Sequence, residues 1–246
     1  MIASKANSLQ LSQNRLLMAL DAENQQLLAG RLTPITLAKG ALLYEPGDLV
    51  DCVYFPDDCV ISLMTLMESG AAIESAAIGR EGALGLMSAV SPRQSLSRAI
   101  VQVAGRAQRI SASHVHRAWE QSAQIRDLAD RHHEALFGQA IQSVACNALH
   151  SVEARFCRWL LSCRDRIDTH TISLTQEFLA DMLGVQRTTV TVVARTLQAS
   201  GLIRYSRGVV DILDRKGLEA ITCECYGTVR RNYERLLSQP FGQKVD

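Results

Sequence analysis

Between Leu174 and Ile203, apolar residues Leu179, Leu183, Val185, Val190, Val193 and Leu197 recur at helical spacing; Gly184 interrupts them and Gly201 closes the run. No other stretch constrains the fold as much. It predicts two short helices sharing one buried seam across a tight glycine turn. The face left over on the second helix carries Gln186, Arg187, Thr188, Thr191 and Arg195. These are donors that reach base edges and phosphates in a duplex major groove. A helix-turn-helix of this kind makes double-stranded DNA the expected partner and leaves the rest of the chain to control the contact.

The overall charge does not announce such a partner, because 26 basic residues face 25 acidic ones over 246 positions. The distribution is uneven: residues 1–150 hold 12 Lys+Arg against 14 Asp+Glu, whereas 151–246 hold 14 against 11. The mildly basic half is the one with the helix-turn-helix. No apolar run approaches the ~20 residues of a membrane span, and Met1 to Leu20 lacks the pattern of a signal peptide. A cytoplasmic protein without membrane contact is expected. The seven cysteines (52, 59, 146, 157, 163, 223 and 225) are scattered and include no C-x-x-C pair, which suits reduced, buried thiols. Cys223 and Cys225, read on one continuous helix, would point roughly 200° apart and share no metal. No metal site, cofactor or catalytic residue is therefore expected.

Along the chain, residues from about Leu9 to Leu32 read as helical, with Asp21 capping a second piece. From Thr33 to Ile110 short β-rich segments follow (41–44, 52–55, 60–66, 72–78, 99–103, 107–110), separated by turn signals such as Pro46-Gly47-Asp48 and Pro56-Asp57-Asp58. Strands this short and this regularly interrupted predict a β-roll or jelly-roll. Ser113 is the expected cap of a short helix ending at Gln121, and a long helix begins near Ala123. On that helix Ile125, Ala129, His132, Leu136, Ala140 and Val144 form one stripe, flanked by Phe137, Ile141 and Ala148. One contact needs only one apolar face, so the helix is either buried between two domains or packed on its twin in a second chain. Symmetric DNA readers favour the twin. Val152–Ile167 forms another helix, with Phe156, Trp159, Leu160 and Cys163 at core spacing. After the helix-turn-helix, residues 202–213 form a β-hairpin wing about Arg207-Gly208, and Asp214 opens a last helix to about Leu237. The resulting fold class is α+β. A β-roll sensor domain with N-terminal helices (1–121) leads through a dimerisation helix (122–151) to a winged helix-turn-helix domain with a C-terminal helix (152–246).

This order of parts resembles the Crp/Fnr family of bacterial transcription regulators over roughly residues 30–215. Leu174-Thr-Gln-Glu-x-Leu-Ala-x-x-Leu-Gly-Val-x-Arg-Thr-Thr-Val190 is similar to the family's helix-turn-helix pattern, Leu43-Tyr-x-Pro-Gly-Asp48 to its first roll hairpin, and Gly82–Met87 to the start of its nucleotide-binding helix. In cyclic-nucleotide members a Gly-Glu pair at that point holds the ribose, and an Arg followed by Ser or Thr binds the cyclic phosphate. This chain has Gly82-Ala83 and Ser97-Arg98-Ala99 instead. Both anchor contacts would need replacements, so the effector is unknown and ordinary cyclic AMP is not expected. A rearranged anion site built from Glu81, Gly82, Arg93 and Arg98 is the alternative; the bland reading of these charges is a solvated loop. The iron–sulfur branch needs clustered N-terminal cysteines, and none precedes Cys52. A haem reading would turn to His132-His133, which face different ways on a helix.

The resemblance also implies roles for the DNA-facing residues. Thr175 and Gln176 would donate to phosphates at the start of the first helix. The second helix would enter the major groove from Gln186, with Arg187 in the place of the family's first base-reading arginine. Thr188 stands where many members carry Glu and Val192 where a second Arg is common, so an altered palindromic site is expected. Thr189, Arg195 and the wing residue Arg207 are placed for phosphates, and RNA polymerase is a further candidate partner. A cupin-like enzyme with a helical appendage is the competing class. It needs histidines on strands to hold a metal, and all six histidines here lie at 114 or later.

Overall fold

The structure, a computed structural model, describes residues 12–90, 94–167 and 169–237. Two short helices open it, α1 (Arg15–Met18) and α2 (Ala22–Ala29), the second capped by Asp21, whose side chain accepts from Asn24 N. Seven strands follow: β1 (Thr33–Leu37), β2 (Leu42–Tyr44), β3 (Cys52–Pro56), β4 (Val60–Leu66), β5 (Ala72–Ile78), β6 (Arg98–Val103) and β7 (Gly105–Ser111), with the short helix α3 (Leu86–Val90) between β5 and β6. They form two antiparallel sheets, ordered β1-β7-β3 and β2-β6-β4-β5. Leu37, Val50, Ile61, Ile78, Val101 and Ala107 fill the space between them. Alternation of small and branched apolar residues along each strand places one face of each sheet in that core.

Strand β1 has no counterpart in the sequence expectation. Pro34 interrupts its pattern, yet β1 lies at a sheet edge, where a missing N–H is tolerated. Helix α4 (Ala112–Gln121) starts two residues earlier than expected: Ser111, not Ser113, takes the cap position.

The long helix α5 (Ala123–Leu149) is capped by Ser122, whose Oγ accepts from Ile125 N. Its buried face begins as expected with Ile125, Ala129 and His132, then continues through Ala135, Gln139, Ser143 and Cys146. Val144, expected in that stripe, lies outside. The shift is caused by polar residues drawn inward. Gln139 donates from Nε2 to Ala77 O at 3.2 Å and accepts at Oε1 from Arg166 Nη2 and Tyr233 Oη. Arg166 sits at the end of α6 (Val152–Arg166) and meets Glu81 at 2.8 Å, both side chains only 2 % exposed. Burial pulls the Arg166 guanidinium down, and the Glu81 carboxylate more than offsets this, so Arg166 holds its proton above the ordinary range. A Cβ on Gly79 would lie 2.6 Å from the Arg166 side chain, which explains a glycine beside this charge.

Beyond α6 come β8 (Thr171–Ser173), α7 (Gln176–Leu183), α8 (Arg187–Ala199), β9 (Ile203–Ser206), β10 (Val209–Ile212) and α9 (Arg215–Ile221). Phe156, Leu160, Leu179, Leu183, Val190, Leu197 and Val210 share one core, which also includes Val60, Ala77 and Val103 of the roll. The winged domain is thus packed directly against the β-roll. The expected last helix is two: it breaks at Thr222–Glu224, and α10 (Cys225–Leu237) folds back on α5, placing Val229, Tyr233 and Leu237 in a core with Ile125 and Ala129. α10 thus packs on α5 while its first turn, through Tyr226, stays in the core of the winged domain. Among the described residues no helix is long and apolar enough to cross a membrane.

Candidate nucleic-acid interface

Gly184 makes the turn. It ends α7 in the left-handed region (φ 61°), where its N–H reaches Ala180 O and Asp181 O. A side chain there would also meet Ile73 of β5 at 2.9 Å, so the turn is seated on the roll hairpin. Helix α8 then begins at Gln186, which caps by position without a side-chain bond. The first N–H groups of α8 have no intrahelical acceptor and leave a positive helix end pointing outward. Leu179, Leu183, Val190 and Leu197 are buried as the seam requires; Val185 and Val193 are partly buried, and Ala194 joins them.

Opposite the seam, Gln186, Arg187, Thr188, Val192 and Arg195 are exposed, and Thr189 and Thr191 are half-buried. Thr191 faces sideways: its hydroxyl contacts Gln176 Oε1 at 2.9 Å and Arg187 O at 3.0 Å. This bond ties α7 to α8 and leaves the Gln176 amide nitrogen as the free donor. Thr175 caps α7 by accepting from Phe178 N at 3.2 Å, which leaves its hydroxyl proton to donate. The wing turns at Arg207 (φ 50°) and Gly208 (φ 76°), both in the left-handed region that a tight two-residue hairpin demands. Strand β8 completes a third sheet, ordered β8-β10-β9.

These elements converge on a cleft of about 320 Å³ lined by Thr175, Gln176, Arg187, Tyr205, Arg207 and Gly208. Four residues singled out from sequence thus share one concavity between the second helix and the wing. Tyr205 was missed. It hydrogen-bonds Leu174 O at 3.1 Å, and burial pushes its hydroxyl up against the opposing pull of the Arg187 cation. Its position in a strand two residues before the turn carried no signal of that contact. Among the described residues no carboxylate is within salt-bridge distance of Arg187, Arg195, Arg204 or Arg207, so their charges face outward. Unpaired arginines beside a helix N-terminus and a wing make this surface locally basic.

The described residues of the expected anion site in the roll, Glu81, Gly82 and Arg98, are engaged elsewhere. Glu81 is buried and bound to Arg166, with Gly79 N also on its Oε1 at 3.1 Å, so it is neither solvated nor offered to a ligand. Gly82 lies beneath α5, where a Cβ would sit 2.6 Å from His132. Arg98 closes a fork on Glu45, with Nη2–Oε1 at 2.7 Å. Arg93 lies outside the described residues. The cavity between roll and α5, about 580 Å³, is lined instead by Tyr44, Val50, Leu63, Leu84, Leu136 and His132, among others, with no arginine, lysine or carboxylate among the described lining residues. His132 holds the Ala83 backbone through Nε2, and burial lowers its pKa, keeping the ring neutral. The described lining thus offers a cyclic phosphate no guanidinium or ammonium group. Cyclic AMP is accordingly expected to change DNA affinity by less than the roughly 5-fold that marks allosteric coupling. Fluorescence anisotropy with a labelled duplex checks it.

The Crp-like helix-turn-helix domain family matches residues 154–221. Among solved structures the chain is similar to FixK2 from Bradyrhizobium japonicum (16 % identity, 78 % of this chain and 98 % of that one, TM-score 0.66). It is also similar to a CRP-family transcriptional regulator from Thermus thermophilus (18 %, 84 % and 98 %, TM-score 0.62). A third is the c-di-GMP-responsive global regulator CLP from Xanthomonas campestris (14 %, 79 % and 100 %, TM-score 0.63). Among curated proteins no sequence match reaches significance. The chain has the fold of the Crp/Fnr regulators from roll to wing.

Proposed function

From the premise of a Crp-like helix-turn-helix domain on a Crp/Fnr fold, we propose that this chain is a cytoplasmic, homodimeric transcription regulator reading a palindromic site through α8. The observation that carries the reading is the cleft that joins Arg187 of α8 to Thr175, Gln176 and Arg207. In this reading Arg187 forks onto a guanine, and Val192 meets a thymine methyl where the family often places arginine. Thr175, Gln176, Thr189, Arg195 and Arg207 hold phosphates, while Gln186, Thr188 and Thr191 sit at the edge of the base-reading face. RNA polymerase is a partner this reading admits without a residue to assign to it. The effector is left unassigned; the described lining of the roll cavity, without arginine, lysine or carboxylate, favours a ligand without phosphate.

The dimer rests on α5. Phe137, Ile141 and Val144 are 62 %, 55 % and 73 % exposed, and with Ala148 they follow helical spacing along one outward face. A sustained apolar seam on a helix whose other face is already buried is the pattern of a two-helix contact. An Ile141→Glu/Val144→Glu double variant is expected to run as a monomer by light scattering. Its affinity for a full palindrome should fall ~10²-fold or more as the second half-site contact ceases to be intramolecular. A variant that stays dimeric contradicts this seam.

A further inference from the structure

The break between α9 and α10 does something that the sequence spacing hides. It releases Cys223 and Cys225 from one helical register and turns both thiols toward the C-terminal end of α5. There Cys146 and His150 stand one turn apart, and the four ligand atoms of Cys146, His150, Cys223 and Cys225 all lie within 4.8 Å of one another. Two edges of this set are 3.5 Å: Cys146 Sγ to Cys223 Sγ, and Cys225 Sγ to His150 Nδ1. A tetrahedron with Zn–S bonds of about 2.3 Å and a Zn–N bond of about 2.0 Å has edges of ~3.5–3.8 Å. We propose that Cys146, His150, Cys223 and Cys225 form a Cys3His site for a single zinc ion.

The surroundings fit that ion. His150 turns Nδ1 inward, and its Nε2 meets the Glu224 carboxylate at 3.1 Å. A carboxylate on the outer nitrogen fixes the tautomer that leaves Nδ1 free as a ligand. Gln142 donates from Nε2 to Cys225 Sγ at 3.0 Å, a contact suited to a thiolate. Arg158 acts electrostatically on Cys146 and Cys223 and lies close to a ligand set that would carry net negative charge once three thiols have lost protons. All three cysteines are buried, while His150 keeps a 22 % exposed side chain that gives the ion a way in. A multi-iron cluster would hold its thiolates farther apart than this set allows.

Position gives the site its consequence. The matched helix-turn-helix segment ends at residue 221 and begins at 154, so the four ligands bracket it at both ends. Zinc would clamp the end of the long helix to the strap that leaves the DNA-binding domain, fixing how the two are set relative to one another. Loss of the ion would release that clamp, leaving the domain held by the core it shares with the roll.

The test uses the full chain, purified under reducing conditions. One zinc per chain by elemental analysis is expected, together with thiolate-to-metal charge-transfer bands and intense tetrahedral d–d bands when CoCl2 is added to the stripped protein. Cys223→Ser should weaken zinc binding at least ~100-fold in competition with a chromophoric chelator, and Glu224→Gln about 10–100-fold, while Cys163→Ser leaves it unchanged. Glu224→Gln replaces no ligand and serves where a cysteine variant fails to fold. A stripped protein that gives no cobalt charge-transfer band, or zinc affinity indifferent to Cys223→Ser and Glu224→Gln alike, overturns the proposal. So does a Cys146–Cys223 disulfide that forms in protein showing no zinc uptake when reduced.

Discussion

Replacing Glu81 by alanine is expected to destabilise the fold by about 3–5 kcal/mol, the cost of leaving a buried guanidinium without its counter-ion. Both members of the Glu81–Arg166 pair are 2 % exposed, and the Arg166 fork also serves Ala77 O, Gln139 and Ser162 O. Removing the carboxylate leaves those neutral acceptors to hold a full charge out of water. The double variant Glu81→Leu/Arg166→Met removes both charges and should recover much of the loss, since a buried pair replaced by apolar groups of similar volume is often close to neutral. Urea unfolding of the single and double variants gives the comparison. A loss under about 1 kcal/mol for Glu81→Ala would place the pair among solvated surface bridges. Because this network joins roll, α5, α6 and α10, intermediate losses are also expected to loosen the seating of the winged domain on the roll.

Arg187→Ala is expected to cost about 1–3 kcal/mol of DNA binding, concentrated at one base position, where sequence preference should relax. The side chain stands exposed at the first turn of α8, free of carboxylates, beside an outward-facing helix end. Arg207→Ala provides the contrast. As a phosphate contact on the wing it should weaken all duplexes about equally and reduce the dependence of affinity on salt by about one counterion. Titration of the parent and both variants against a set of single-base operator variants at two salt concentrations separates the roles. Uniform weakening by Arg187→Ala would move that arginine to the phosphate class.

Much of this molecule was legible because its periodicities are strong. The seam from Leu179 to Leu197, the turn at Gly184 and the wing at Arg207-Gly208 all follow from spacing and from backbone conformations that few residues adopt. What escaped did so for local reasons. Pro34 masked an edge strand. Val144 read as part of the apolar stripe of α5, yet Gln139, bonded to a buried arginine 27 residues on, takes the inward face and leaves Val144 outside. Glu81 read as a loop charge because its partner lies 85 positions away. Cys223 and Cys225 were set apart by assuming one helix from Asp214, and nothing in Thr222-Cys223-Glu224 signals a break as glycine or proline would. Pairings across such distances are made by the fold, and spacing alone does not carry them.

Two copies of this chain are expected to read a two-fold symmetric duplex through α8, and selection of bound sequences from random duplexes measures this. Enrichment of an inverted repeat is predicted, with half-sites about one helical turn apart, a guanine fixed in each half by Arg187, and no dependence on added cyclic AMP. Recovery of no symmetric site would rule out a two-fold reader.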